Sequence, residues 1–350
     1  MKIIFCLVAG LFIMSAGYAQ DEIKQFIDKG IALHDKGDYD GAIAQYNEAL
    51  KLDPVNAQAL YEKSFSLLSL KKYDEVIIIL KQLLKDSKSE EYRKLAYINY
   101  GTTLDNMDEK KKAIEVYEQG IREFPKSYLL HFNKGITETG MNLPEEALKS
   151  FGEAVMLNGL HASSHNALAR LQYDKNRIPA VLAFFTFLVI EPTSKRSEQN
   201  LELMNKLLYK GISKGENGNV TIAIDADMLG KKKKNKEDDF STSEFMLSLL
   251  GADNTVADSM GAKTEADRLD YKMQMLINVI NEQKKKEKGF FKNFYVPMFA
   301  EMKEKNFVKT ACYIALRSMN NTDMNGWLKE HEQAVDEFNS WLKGYWTKWD

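Results

Sequence analysis

Small and apolar positions recur at fixed offsets through residues 23–195 and predict a series of paired helices. The clearest copies of the pattern are Gly30, Ala42, Tyr46, Ala49 and Pro54; Gly101, Ala113, Tyr117, Gly120 and Pro125; and Gly135, Ala147, Phe151 and Ala154. Small residues let two helices cross closely, an aromatic ring fills the space beside them, and proline ends the second helix. The step from Gly101 to Gly135 is 34 residues, which is the period of a helix-turn-helix repeat array.

This pattern resembles the tetratricopeptide repeat (TPR) family. It divides the segment into five repeats, at about 23–56, 57–93, 94–127, 128–160 and 161–195. The second repeat departs most from the family pattern, because Ser64 and Leu80 replace the glycine and the aromatic residue. The resemblance implies a right-handed superhelix in which each repeat buries its apolar face against its neighbours. The amphipathic segment Ser197–Ile212 is expected to cap the last repeat.

In TPR proteins the first helix of each repeat lines a concave groove, and the resemblance assigns a specific lining here. The assigned residues are Ile27, Ile31, Tyr61, Phe65, Ile98, Asn99, Thr102, Phe132, Asn133, Ile136, His165, Asn166 and Gln172. This lining is largely apolar and aromatic, with amides that pair with a peptide backbone, so it suits an extended or helical peptide. The TPR subclass that grips a C-terminal carboxylate needs lysine or arginine at several of these positions, so a clamp for acidic C-termini is not expected. The alternative is that some of these side chains pack between repeats or lie under the C-terminal region of the chain.

The sequence after residue 213 changes character and resembles no family. Alternation predicts a short strand over Val220–Asp225. Five lysines within 231–236, followed by three acidic residues, predict a solvated loop near 231–239. Helical periodicity predicts helices over Ser243–Leu250, Glu265–Lys286, Phe290–Lys303, Phe307–Met319 and Asp323–Tyr345, and Pro297 predicts a kink or break in the third of these.

Tryptophan is concentrated at the C-terminus. Trp327, Trp341, Trp346 and Trp349 all lie in the last 24 residues. Trp327 and Trp341 belong to one apolar helix face and are expected to be core residues, with Trp346 and Trp349 at its edge. A docking surface or an interfacial membrane belt is the alternative interpretation.

The N-terminus has the features of a cleavable secretory signal. Lys2 supplies a positive charge, Ile3–Met14 is an apolar run, and Gly17 and Ala19 are small residues that suit cleavage after Ala19. The sequence therefore predicts an exported protein of the periplasm, cell envelope or extracellular space. After cleavage no segment reaches 18 apolar residues, so no transmembrane segment is expected in the mature chain.

Together these patterns predict an all-α protein in three parts. Residues 1–19 form a signal peptide, residues 20–213 a TPR solenoid of about five repeats with a capping helix, and residues 214–350 a mostly helical C-terminal domain. The 48 basic and 50 acidic residues give a formal net charge of −2. This near balance argues against nucleic acid as the main partner.

The sequence contains no HExxH, GxxxxGK or CxxC motif, and no catalytic residues, metal or cofactor are predicted. Removal of the signal leaves Cys312 as the only cysteine, and it is expected to be a small buried apolar residue. The favoured function is an interaction scaffold that binds a partner protein or peptide in the groove, with a second contact through the tryptophan-rich end. The alternative is an enzyme with an active site in the C-terminal domain and a TPR array that recruits its substrate.

Overall fold

The computed structural model describes residues 2–214, 220–222, 237–252, 255–283 and 289–347, and α-helices predominate among them. The helices are α1 (Lys2–Asp35), α2 (Tyr39–Leu52), α3 (Ala57–Ser69), α4 (Tyr73–Asp86), α5 (Glu90–Asn106), α6 (Lys110–Glu123), α7 (Tyr128–Gly140), α8 (Pro144–Leu157), α9 (Ala162–Gln172), α10 (Arg177–Ile190), α11 (Lys195–Leu208), α12 (Ser241–Ala252), α13 (Thr255–Ser259), α14 (Glu265–Gln283), α15 (Phe290–Glu304), α16 (Val308–Ala315), α17 (Thr322–Glu330) and α18 (Glu332–Trp346). The predicted all-α class, with one helix pair in each repeat, is confirmed.

A pair of short strands is the exception within the described residues. Strands β1 (Ile212–Lys214) and β2 (Val220–Ile222) are antiparallel, with Ile212 opposite Ile222. The predicted strand is therefore confirmed for Val220–Ile222, whereas its last three residues and the lysine run at 231–236 lie outside the described residues.

The turns of the first four repeats share one backbone feature. Gly37, Lys71, Asp108 and Asn142 each follow the small crossing residue by seven positions, and all four have positive φ, between 58° and 82°. A single left-handed residue reverses the chain between the two helices of each repeat. The recurrence of this turn shows that the sequence register of these repeats is also their structural register.

The chain divides into two compact units, Met1–Ser150 and Phe151–Asp350, and the division falls inside α8. The domain boundary predicted near residue 213 lies within the second unit. Helix α10 explains why the second unit extends across residue 213. It is apolar around its whole circumference and is buried from Arg177 to Val189. Helices α9, α11, α12, α15 and α16 all contact it, so the last repeat shares its core with the segment that follows.

The first unit is built on the predicted pairing of small and aromatic residues. Tyr46 and Tyr117 are almost fully buried. A Cβ atom added to Gly30 would lie within 2.8 Å of the Tyr46 ring, and one added to Gly101 within 2.7 Å of the Tyr117 ring. Only glycine leaves room for these rings at the helix crossings.

Two helix predictions in the second unit need correction. The helix predicted over Asp323–Tyr345 is two helices, α17 and α18, which separate at His331 (φ −118°, ψ 33°). Helix α15 continues through Pro297, so of the predicted kink or break only the break is excluded. Proline removes one backbone donor, but the residues on both sides of it, Val296 and Met298, are fully buried, and this packing keeps the helix intact. Within the described part of the chain, no helix combines the length and apolarity needed to cross a membrane.

Candidate functional site

The first helices of the N-terminal unit form one continuous layer. Helix α1 packs on α3, α3 on α5, and α5 on α7. The groove residues predicted on these four helices therefore lie on neighbouring helices of a single layer. Phe65 and Ile136 are the most open of them, with 43% and 44% of their surface exposed. The half-buried members are Ile31, Tyr61, Ile98, Thr102, Phe132 and Asn133.

Two predicted groove residues in this unit are buried. Ile27 is 2% exposed and packs in a core cluster with Ala42 and Tyr46. It belongs to the interior of repeat one, and its assignment to the groove is corrected. Asn99 is 9% exposed, and its side chain interacts with the hydroxyl group of Tyr61. This amide is therefore a buried group that is engaged within the layer.

Aromatic rings line the part of this layer that belongs to repeats one and two. The rings of His34 and Phe65 stack with centroids 5.0 Å apart, and those of Tyr61 and Tyr92 lie 5.9 Å apart. His34 Nδ1 is 2.7 Å from the hydroxyl oxygen of Ser66. This serine is fully buried, so the pair orients the His34 ring against Phe65 and offers no accessible nucleophile.

Glu62, which does not belong to the predicted lining, lies near these rings and influences the ionisation of Tyr61 and Tyr92. Burial raises the pKa of Glu62, and the negative charge of Asp35 raises it further. Burial also raises the pKa of Tyr46 to about 12, with a further contribution from Glu62. Helical spacing could have indicated Glu62, because it precedes Phe65 by three positions and therefore lies on the same helix face.

Repeat five, in the second unit, has no open groove at His165. The His165 ring is fully buried. Its Nε2–H donates to the Gly159 carbonyl oxygen at 2.9 Å, so in the neutral ring Nδ1 accepts from the Tyr295 hydroxyl at 2.7 Å. Burial lowers the pKa of His165 to about 4. The groove assignment of His165 is therefore corrected, and the alternative of cover by the C-terminal region holds at this position.

The other predicted residues of repeat five are also engaged within the chain. Gln172 is 5% exposed and accepts a hydrogen bond from Asn176 at 2.6 Å. The side-chain oxygen of Asn166 accepts from Arg170 at 3.1 Å. Phe65 and Ile136, the exposed members of the predicted lining, both lie in the N-terminal unit.

The tryptophan-rich end contributes to the core of the second unit. Trp346 is 6% exposed and stacks on Phe294 with centroids 4.8 Å apart. Trp327 is half-buried between Tyr313 and His331, whose ring centroids lie 3.9 and 4.0 Å from the centroid of its own ring. Trp346, which was expected at the edge of the apolar face, is therefore buried, whereas Trp327 and Trp341, which were expected in the core, are half-buried. Trp349 lies outside the described residues.

A cleft of about 310 Å³ in the second unit is lined by two carboxylates with shifted pKa values, Asp267 and Asp270. Asp267 is partly buried, but hydrogen bonds from Lys309 and from the backbone of Lys263 and Thr264 lower its pKa to about 2. These contacts make it a cap of α14. Burial raises the pKa of Asp270, which accepts two hydrogen bonds from Gln274. Over the described ranges, no group of three or more His, Cys, Asp or Glu side chains is placed to hold a metal ion.

Comparison with known families identifies the repeats. Residues 30–65 match a TPR repeat model, and residues 95–127 match a second tetratricopeptide repeat model. The chain contains tetratricopeptide repeats. A TPR repeat-containing protein of Methanocaldococcus jannaschii is 27% identical over 194 residues, which cover 51% of this chain and 34% of that protein. The match thus spans about a third of the curated relative.

Solved structures of other proteins show similarity to about half of this chain. PilF of Pseudomonas aeruginosa is 19% identical, covers 54% of this chain and 84% of its own, and superposes with a TM-score of 0.46. PilW, described as a type IV pilus biogenesis factor, is 19% identical, covers 53% and 84%, and has a TM-score of 0.45. These similarities concern the fold alone.

Proposed function

We propose that this TPR protein is an exported interaction scaffold that binds a partner peptide or protein on the first-helix layer of its N-terminal unit. The observation that carries the proposal is the exposure of large apolar side chains on that layer. Phe65 and Ile136 stay open to solvent although each belongs to a repeat with a well-packed core. Exposed apolar groups beside polar ones are typical of interaction sites. The N-terminal signal pattern supports export.

The chemistry of the layer supports a peptide as the ligand. Phe65 and Ile136 offer apolar contact area, and the half-buried amide of Asn133 on the same layer can pair with a peptide backbone. A few large apolar or aromatic anchors usually dominate the energy of such an interface. We therefore expect Phe65 to be one of these anchors.

Site-specific photo-crosslinking in the native host tests this proposal. A photoreactive aromatic amino acid placed at position 65 or 136 should crosslink to the same partner. The matched control is position 78, because Ile78 is also exposed (67%) but lies on α4, the second helix of repeat two. Adducts of equal yield from position 78, or none from positions 65 and 136, would contradict the proposal.

A matched pair of substitutions gives the energetic test. Ile136→Ala should weaken capture of the crosslinked partner, and Phe65→Ala should weaken it by roughly 2 kcal/mol or more. Ile78→Ala removes the same atoms as Ile136→Ala from an exposed site and should leave capture unchanged. Thermal unfolding of all three variants shows whether any loss of binding reflects loss of structure.

The second candidate is an enzyme with its active site in the C-terminal unit and substrate recruitment through the repeats. It is favoured by Asp270, a carboxyl group of raised pKa in a cleft that also contains Lys303 and Lys309, since such groups are enriched at active sites. A mass change in the captured partner that disappears in Asp270→Asn would support the enzyme. An unaltered partner supports the scaffold.

A further inference from the structure

We propose that a groove between the second helices of repeats two and three binds an acidic segment of a partner protein, in which aspartate or glutamate lies beside an aromatic or aliphatic residue. The groove lies between α4 and α6, and α5 forms its floor. It is separate from the first-helix layer, so this inference goes beyond the proposed function and does not depend on it.

The floor of the groove is apolar and aromatic. Tyr97, Tyr100 and Leu104 line it from α5, and their spacings of three and four place them on one helix face. Leu84 and Val116 continue this surface onto α4 and α6. The groove has a volume of about 480 Å³, which lies within the usual range of about 300–1,000 Å³ for a ligand site.

This face of α5 differs from the face that belongs to the first-helix layer. Ile98 follows Tyr97 by one position and Thr102 follows Tyr100 by two, which are offsets of about 100° and 200° around the helix. The two surfaces therefore use different residues of the same helix and can be tested separately.

The α4 wall of the groove carries two lysines without a counter-charge. Lys81 and Lys85 are exposed, and neither forms an ion pair with an acidic residue in the described part of the chain. In repeat one, by contrast, Lys51 occupies the position of Lys85 and pairs with Glu48. Like charges one turn apart repel each other within a helix, and a carboxylate of a ligand placed between the two lysines offsets that repulsion.

An aromatic ring holds one of these lysines beside the floor. The Lys81 ammonium nitrogen lies 5.7 Å from the centroid of the Tyr100 ring, a distance at which the ring face attracts the cation. Tyr100 packs against the core clusters of both repeat two and repeat three, so the fold fixes its position. A peptide that presents a carboxylate next to an apolar side chain matches this combination of ammonium group and apolar floor.

The opposite wall favours a peptide over a continuous polyanion. Lys112 on α6 is already paired with Glu109, and Glu115 and Gln119 also line this wall. The Glu115 carboxylate would repel a phosphate backbone or a layer of anionic lipid headgroups. A peptide can place its carboxylate toward α4 and its backbone toward α6, where the Gln119 amide can both donate and accept.

Selection from a display library of random peptides on the immobilised full-length protein tests the proposal. The wild-type protein should enrich peptides with aspartate or glutamate beside an aromatic or aliphatic residue. Combined replacement Lys81→Gln and Lys85→Gln should weaken binding of the selected peptides by roughly five- to tenfold and should make their affinity less sensitive to added salt. The matched control is Lys36→Gln with Lys149→Gln, two exposed lysines of the same unit outside the groove. It changes the net charge equally and should keep both affinity and salt sensitivity.

Photo-crosslinking with the selected peptides locates their binding site. A photoreactive amino acid at position 119 should crosslink to them, because Gln119 lines the groove. Position 111 is the matched control, since Lys111 is exposed on the same helix and does not line the groove. Equal yields from the two positions would show that the peptides bind elsewhere and would overturn the inference.

The outcomes separate this inference from the proposed function. A selected pool without acidic peptides, or acidic peptides whose binding requires Phe65 and not Lys81 and Lys85, overturns the inference and leaves the proposed function intact. Equal losses in the control pair show a general effect of net charge and also overturn the inference. Capture of the native partner through Phe65 and Ile136 decides the proposed function independently, and Ile78, the control position in that experiment, does not line the groove.

Discussion

The Gly101→Ala substitution tests the packing rule on which the N-terminal unit is built. Gly101 is buried in α5, and an added Cβ would lie 2.7 Å from Cδ1 of Tyr117, well inside the normal carbon–carbon contact distance of about 3.5–4 Å. The Tyr117 ring has little freedom to move, because it is 1% exposed and its hydroxyl pairs with Thr102 at 3.1 Å. The extra methyl group therefore has to displace a helix.

Two opposing effects set the magnitude. Replacing glycine by alanine inside a helix normally stabilises a protein by about 0.5–1 kcal/mol. Overpacking of a tight core costs about 1–3 kcal/mol, and the short contact with an immobile ring places Gly101 toward the upper end of that range. We therefore expect a net loss of about 1–2 kcal/mol. Gly326 is the matched control, because it is also helical but has no atom within 4 Å of an added Cβ, so Gly326→Ala should be stabilising.

The assay is urea unfolding of the full chain followed by circular dichroism, with a double-mutant cycle. Gly101→Ala combined with Tyr117→Leu should show a favourable coupling of about 0.5–3 kcal/mol, because the smaller side chain makes room for the methyl group. Repeat two already carries such a combination, with Ser64 and Leu80 at the same two positions and both fully buried. A Gly101→Ala variant as stable as wild type, or a coupling near zero, would refute the packing argument.

Two further predictions concern pH and export. His165 has a pKa of about 4 in the folded protein against an ordinary value of 6.5, so its stabilising contribution is complete above pH 6.5 and is lost as the pH falls toward 4. The substitution His165→Asn should reduce the dependence of the urea midpoint on pH over that interval. An unchanged pH profile would contradict a buried, neutral His165 ring. Cleavage after Ala19 predicts that the intact mass of protein from the native host starts at Gln20. Retained Met1 or a lipid adduct on Cys6 would contradict the signal assignment.

The periodic part of the fold was predictable because its contacts are local in sequence. Gly101 meets Tyr117 only 16 positions later, within one helix pair, and the same spacing joins Gly30 and Tyr46. Because these glycine–tyrosine contacts recur at the same spacing in the sequence, recognising the pair in one repeat fixes the register of the other repeats. The break at His331 was not predictable in this way, because the apolar periodicity runs on through both α17 and α18.

The candidate site was predictable in part. Helical spacing and the family resemblance assigned Phe65 and Ile136 to the exposed layer, where they lie. The same spacing assigned Ile27 to that layer, although it packs in the core of repeat one. The raised pKa of Glu62 could not be predicted from its sequence neighbours, because it depends on burial by the packed helices and on the charge of Asp35.

The sequence by itself determined the repeat register, the helix pairs and the apolar character of the first-helix layer, because each follows from residues within one or two turns or one helix hairpin. Tertiary structure alone decided which part of that layer stays open. His165 sits at a groove position of its repeat, yet Tyr295 reaches it from 130 residues away and seals it in the core. Such a contact depends on how distant helices pack together, and local periodicity carries no information about that packing.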